Sequence, residues 1–156
     1  MVLSSILVAY DGTQPSKHAL VEAVEIVRVT GAKLTLVCVL PVIAGAYGIE
    51  MPPGEAVAET IEAVRTMLVT EKVALQKEGV AHVETVLLEG DPVDRVLEYA
   101  EKNPSDLIVV GSRGLSEAGR FFLGSVSDGI LHHARCSVLV SKSPPPPKPP
   151  RASHAL

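Results

Sequence analysis

The sequence predicts a single α/β domain in which helices cover both faces of a doubly wound parallel sheet. Short runs of β-branched residues alternate with longer amphipathic runs, and the crossovers between them are long enough for helices. Hydrophobic residues make up 47% of the 156 residues and aromatic residues only 3%, which favours a core of Val, Leu, Ile and Ala. Right-handed crossovers between parallel strands restrict such a chain to a doubly wound arrangement.

Five short apolar runs bounded by Gly, Pro or Asp are predicted to form the strands. They cover residues 6–9, 33–39, 83–88, 106–110 and 137–141. Apolar residues at helical spacing predict helices over residues 16–30, over a segment from about 55 to Gly79, from Pro92 onward, and over residues 124–133. Residues 41–54 carry three Gly and three Pro without periodicity and are predicted to be a loop.

Two helix ends are predicted from single residues. Gly31 follows the last apolar residues of the first helix and supplies its C-terminal stop. Asp91 precedes Pro92, so that the carboxylate caps the free amides while the proline occupies the first helical position, where no N–H is needed.

The chain divides into a domain over residues 1–142 and a proline-rich tail over residues 143–156. Six of the seven residues from Pro144 to Pro150 are proline, which predicts an extended, solvated polyproline segment outside the fold. The length of the chain fits one domain.

Charge and composition exclude several classes of protein. The net charge is −4 and no run of Lys or Arg forms a basic patch, so a nucleic-acid binder is not expected. Cys38 and Cys136 lie far apart and outside any spacing typical of metal ligands, which favours two buried thiols in a reducing compartment. No apolar stretch reaches the length of a membrane span and no leader segment is recognised, so a soluble, cytoplasmic protein is expected.

The segments that follow strands one and four carry the candidate binding residues, because ligands of such sheets bind beyond the carboxyl ends of the strands. Asp11 follows strand one; Gly111 and Gly114 follow strand four, on a loop that continues to residues 124–127. The glycines let backbone amides approach a ligand, and the first turn of a helix at residues 124–127 offers free N–H groups to an anion. The sequence has no P-loop lysine, and Arg113 and Arg120 are the cations of this loop.

The segment GSRGLSEAGRFFLGSVS has the form G-x2-G-x9-G-S. It resembles the nucleotide-binding signature of ATP-binding members of the universal stress protein family. VAYDGTQPSKHAL resembles the opening strand and aspartate of that family, and SVLVSK resembles its closing strand. The resemblance extends over roughly residues 3–142.

This resemblance implies a Rossmann-like sheet of five parallel strands in the order 3-2-1-4-5, and a homodimer formed through residues 137–141. It also implies an ATP site in which Asp11 bonds the nucleoside, the backbone of Val39 meets the adenine edge, and Ala9 and Val110 flank the nucleoside. The residues implied for the ribose and phosphates are Gly111, Arg113, Gly114, Gly124, Ser125, Val126 and Ser127. Mg or Mn would be held by the phosphates and water rather than by protein side chains.

The function expected from these features is that of a nucleotide-dependent regulator of a stress response. No catalytic residue is assigned, because the sequence shows no nucleophile–base pair and no arginine-finger pattern. Three alternatives stay open: a slow ATPase of the adenine-nucleotide hydrolase group, a binder of AMP or cyclic AMP, and a nucleotide-free dimeric interaction module.

Overall fold

The computed structural model describes residues 2–41, 54–112 and 124–142. Five parallel strands form one sheet in the order β3-β2-β1-β4-β5, which confirms the predicted fold and strand order. The strands are β1 (Ser5–Ala9), β2 (Lys33–Leu40), β3 (Val83–Glu89), β4 (Leu107–Gly111) and β5 (Ser137–Ser141). The helices are α1 (Gln14–Thr30), α2 (Gly54–Lys77), α3 (Pro92–Lys102) and α4 (Ser125–His133).

The core lies on both faces of the sheet, with β1 in the middle. Ile6, Leu7 and Val8 of β1 have no exposed surface, as expected for a strand covered on both sides. One cluster packs α1 and α2 against one face, and the other packs α3 and α4 against the opposite face. The central position of β1 places its carboxyl end between β2 and β4, at the point where the winding reverses.

The predicted helix ends are confirmed at both capping sites. Gly31 takes a left-handed conformation with φ of 70°, and its amide bonds the carbonyl of Val27. Asp91 accepts hydrogen bonds from the amides of Val93 and Asp94 at 2.9 and 3.0 Å, with Pro92 at the first helical position.

Several predicted boundaries differ from the observed ones by one or two residues. The first helix begins at Gln14 rather than at residue 16, because Pro15 is compatible with a first helical turn. The fourth strand begins at Leu107, and the carboxylate of Asp106 just before it accepts bonds from the amides of Ser4 and Ser5 and from the Ser4 hydroxyl. The last helix begins at Ser125, and Gly124 is its N-cap.

Two sequence predictions fall largely or wholly outside the described residues. Residues 42–53 make up most of the predicted loop, and residues 143–156 make up the predicted tail. Among the helices of the described residues, none combines the length and the apolar character that crossing a membrane requires.

Candidate functional site

A cleft of about 640 Å³ opens at the carboxyl edge of the sheet, above the ends of β1 and β4. Ser125 is exposed at the start of α4 and does not line the cleft, while Arg113 and Gly114 lie outside the described residues. The residues assigned from the sequence that do line it are Ala9, Asp11, Val39, Val110, Gly111, Gly124, Val126 and Ser127. The fold therefore brings residues from both ends of the chain into one cavity.

Val39 offers its backbone to this cleft because β2 is longer than β1. The last bond between these strands runs from the amide of Tyr10 to the carbonyl of Val37, and β2 continues to Leu40. The carbonyl of Leu40 accepts from Gly90 on the β3 side, so the alternation along a strand turns the N–H and C=O of Val39 towards the β1 side. Within the described residues, no backbone hydrogen bond occupies these two groups. One donor and one acceptor thus face the cleft together.

Asp11 lies in the turn between β1 and α1, held in place by the residues that follow it. Its Oδ1 accepts bonds from the amide of Thr13 at 3.0 Å and from the Thr13 hydroxyl. Partial loss of hydration by itself would raise the pKa of Asp11, but the hydrogen bonds from Thr13 and Ser16 outweigh it, so the pKa is lowered. The carboxylate is therefore a fixed, ionised acceptor at the mouth of the cleft.

The N-terminus of α4 closes the other side of the cleft. Gly124 is its N-cap, and no side chain of the described residues caps the helix. The first hydrogen bond inside the helix runs from the amide of Asp128 to the carbonyl of Gly124. Amides that precede this bond have no partner within the helix, and they carry the positive end of the helix dipole.

The hydroxyl of Ser127 is already engaged within the first turn of α4. It donates to the carbonyl of Gly124 at 2.9 Å, and Ser127 is buried. This bond stabilises the first turn of α4.

The packing of the fold requires a glycine at position 111, for a reason that the sequence did not indicate. A Cβ at this position would lie 2.3 Å from the carbonyl oxygen of Pro15, at the start of α1. The glycine therefore allows β4 to approach the α1 backbone, whereas the sequence analysis explained it by approach to a ligand. Both ends of this contact line the cleft.

Several residues of the lining were not assigned to the site from the sequence, among them Tyr10, Cys38 and Val64. Tyr10 and Cys38 directly neighbour Asp11 and Val39, so their positions in the chain could have indicated them. Burial, with the nearby Asp11 charge, raises the pKa of the Cys38 thiol to about 11, which keeps it protonated at neutral pH. Val64 comes from α2, and no local pattern connects it to this edge.

The fold and the cleft define a doubly wound α/β domain with a pocket at its switch point. The sequence profile of the universal stress protein family matches residues 3–142, and the chain belongs to that family. A universal stress protein of Thermus aquaticus is 35% identical over 146 residues, covering 89% of this chain and 98% of the relative.

Two solved structures extend the comparison. A universal stress protein of Lactobacillus plantarum is 26% identical, with a TM-score of 0.69, over 90% of this chain and 99% of its own. A universal stress protein in complex with cyclic AMP is 27% identical, with a TM-score of 0.67, over 90% of this chain and 97% of its own.

Proposed function

We propose that this protein binds an adenine nucleotide, with ATP as the principal ligand, and acts as a nucleotide-dependent regulator of a stress response. The observation that carries the proposal is the pairing of two unlike ends in one cleft. One end presents the backbone edge of Val39, and the other presents the N-terminus of α4. A molecule that fits both ends carries a flat hydrogen-bonding group at one end and an anion at the other.

Adenine fits the end at Val39. Its exocyclic amine donates one hydrogen bond and the adjacent ring nitrogen accepts another, which complements a backbone C=O and N–H that lie side by side. Ala9 and Val110 supply apolar contacts to the nucleoside from the neighbouring strands, and both line the cleft. We propose that the Asp11 carboxylate, which lines the cleft, accepts a bond from the nucleoside.

Phosphates fit the end at α4. The first-turn amides of residues 125–127 and the helix dipole favour an anion, and Gly111 and Gly124 also line the cleft. Arg113 and Gly114 are proposed to complete the phosphate site from outside the described residues. Across residues 2–41, 54–112 and 124–142, no three His, Cys, Asp or Glu side chains could hold a metal together. We propose that Mg or Mn is coordinated by phosphate oxygens and water.

A relative supports the class of ligand. The universal stress protein solved with cyclic AMP is 27% identical to this chain over nearly its whole length. Cyclic AMP shares adenine, ribose and one phosphate with ATP, so both ligands would use the same two ends of the cleft. Titration with all three nucleotides distinguishes ATP, the proposed principal ligand, from AMP and cyclic AMP.

Isothermal titration with Mg-ATP, AMP and cyclic AMP tests the proposal. Ser125→Asp places a negative charge at the exposed start of α4, and Ser125→Asn has nearly the same shape without that charge. We expect the aspartate variant to bind Mg-ATP roughly tenfold more weakly than the asparagine variant, and adenosine about equally. The absence of adenine-nucleotide binding by the wild type, or equal Mg-ATP affinity in the two variants, would contradict the proposed site.

Regulation rather than catalysis is proposed because phosphoryl transfer needs charges placed at the reacting phosphate. Among the described residues that line the cleft, Asp11 is the charged one. Steady phosphate release from Mg-ATP that a Ser125→Asp change abolishes would instead favour the slow ATPase.

A homodimer through β5 is also proposed. β5 is an edge strand, and the bond from the amide of Ser112 to the carbonyl of Ser141 shows that odd-numbered residues of β5 face β4. The N–H and C=O of Val138 therefore point outward, where a second chain could pair with them. Val138→Pro removes one outward donor, whereas Val138→Ala keeps it. Light scattering should show a dimer for the wild type and the alanine variant, and a monomer for the proline variant; a monomeric wild type would contradict the proposal.

A further inference from the structure

The helix α2 contacts the Asp11 turn through one stripe of its surface. Val64 lines the cleft, Met67 lies against Gly12, and Glu71 accepts a hydrogen bond from the Tyr10 hydroxyl at 2.9 Å. Positions 64, 67 and 71 repeat at helical spacing, so they share one face of α2. The residues immediately before and after Asp11 are thus both held by the same helix.

The position of Glu71 within α2 is unusual for an acidic residue. It lies three residues after Leu68 and four residues before Leu75, and both leucines are almost fully buried in the core. A helix held only by packing would carry an apolar residue here. The glutamate is partly buried instead, with the Tyr10 hydroxyl as its partner.

Tyr10 is the counterpart of this glutamate in the core. It is 2% exposed, it follows directly on β1, and its amide makes the last bond to β2. Burial, followed by the hydrogen bond to Glu71 and its charge, raises the pKa of Tyr10, so the phenol stays protonated and remains the donor. Fixing the Tyr10 side chain fixes the orientation of the peptide unit that carries Asp11.

The contact between Gly12 and Met67 restrains the other side of the turn. Gly12 has a φ of 80°, a conformation that other residues adopt at a cost. A Cβ there would also lie 2.5 Å from Sδ of Met67. The turn therefore lies directly against the side of α2.

We propose that Tyr10 and Glu71 are positioning residues for the nucleotide site, which couple the docking of α2 to ligand binding in the cleft. This inference rests on the proposed nucleotide function and adds to it the element that responds to occupancy. A ligand that contacts Asp11 and the wall at Val64 stabilises the docked position of α2. By reciprocity, any change that displaces α2 weakens the binding of the ligand.

The test separates positioning from stability by replacing both partners. Tyr10→Phe combined with Glu71→Met exchanges the buried hydrogen bond for apolar contact, a change that is commonly close to neutral for folding. We expect thermal unfolding of the free protein to stay near that of the wild type, while affinity for Mg-ATP and cyclic AMP falls roughly tenfold. Glu71→Gln keeps an acceptor oxygen and should retain affinity within about threefold.

The matched control makes the same two chemical changes elsewhere. Tyr99→Phe with Glu62→Met alters a tyrosine of α3 and an exposed glutamate of α2, neither of which lines the cleft. It should bind like the wild type. Hydrogen exchange gives a second readout, since nucleotide should slow exchange in α2 of the wild type and of the control, but less in the Tyr10→Phe/Glu71→Met variant.

Wild-type affinity in the Tyr10→Phe/Glu71→Met variant would overturn this proposal and leave the nucleotide function standing. Wild-type affinity in Tyr10→Phe alone, which keeps the ring in place, would overturn it as well, even if the double variant folded poorly. A wild type that binds no adenine nucleotide would overturn both proposals.

Discussion

Helices α3 and α4 both begin at the same edge of the sheet, but only the free amides of α3 are capped by a side chain of the described residues. At α3, the Asp91 carboxylate accepts from the amides of Val93 and Asp94, and Pro92 removes a third donor. At α4, the N-cap is Gly124, and within the described residues no side chain accepts from the first turn. One helix start is satisfied by the chain itself, whereas the donors of the other have no described side-chain partner and are the ones we propose for an anion.

The two helix N-termini therefore differ in role: the capped one stabilises the fold, and the uncapped one is proposed to bind the ligand. A capped N-terminus contributes to folding, while an uncapped one forgoes that contribution. Pro92 and Gly124 both line the cleft, so the two helix starts face the same proposed ligand. Under the proposed function, the capping residue rather than the position in the fold determines which of the two helix starts binds an anion.

The largest change in nucleotide affinity is expected when the aspartate cap of α3 is introduced at the start of α4. Gly124 has φ and ψ of −60° and 154°, close to the −70° and 127° of Asp91, so Gly124→Asp fits without backbone strain. Its carboxylate would occupy the first-turn amides and repel phosphate. We expect Mg-ATP affinity to fall by about two orders of magnitude, while the free protein becomes only about 0.3 kcal/mol more stable, because glycine is itself a tolerated N-cap. Calorimetric titration and urea unfolding measure the two effects.

Gly124→Ala serves as the control for this transfer, because it adds a Cβ without a carboxylate. Its Mg-ATP affinity should stay within about threefold of the wild type. A Gly124→Asp variant that bound nucleotide as well as Gly124→Ala would show that the α4 N-terminus does not hold the phosphates.

The converse change, Asp91→Ala, should affect folding alone. Loss of the cap leaves two α3 amides without their side-chain partner, at a cost of about 1 kcal/mol in the free energy of unfolding. Nucleotide affinity should be unchanged. Asp94→Ala is the comparison, since Asp94 lies in the same helical turn but does not cap it. Equal stability in the two variants would contradict the role assigned to Asp91.

A smaller effect is expected on the pKa of Asp11, which lies in the turn before α1 at the same edge of the sheet. Its pKa is lowered mainly by bonds from Thr13, so it contributes stability that is present above the unfolded pKa and is lost as pH falls through the lower folded value. Thr13→Val removes the hydroxyl donor and should move the pKa of Asp11 back towards its ordinary range. NMR titration of the carboxyl carbon checks this, with Thr60→Val on exposed α2 as control. An unchanged Asp11 pKa would contradict the assignment.

Much of the fold could be predicted from local patterns. The five apolar runs gave the strands within two residues, and Gly31 and Asp91 gave two helix ends correctly. These features depend on neighbours in the sequence, where propensity and capping act directly. The strand order came from the family resemblance, because periodicity does not specify which strands pair.

The candidate site was less accessible to sequence reasoning. The resemblance indicated Val39, but the reason its backbone faces the cleft is that β1 ends before β2 does. Gly111 was assigned to ligand approach, although its missing Cβ faces Pro15. The contact between Tyr10 and Glu71 joins residues 61 positions apart, which no local pattern in the sequence encodes.

By itself, the sequence determined the alternation of strands and helices and the opposite capping of α3 and α4, because these follow from interactions between near neighbours in the chain. The tertiary structure alone decided which groups meet in the cleft: the free edge of Val39, the Asp11 turn and the α2 stripe. Those encounters depend on the lengths of adjacent strands and on the docking of a distant helix, and such long-range contacts form only when the whole core packs.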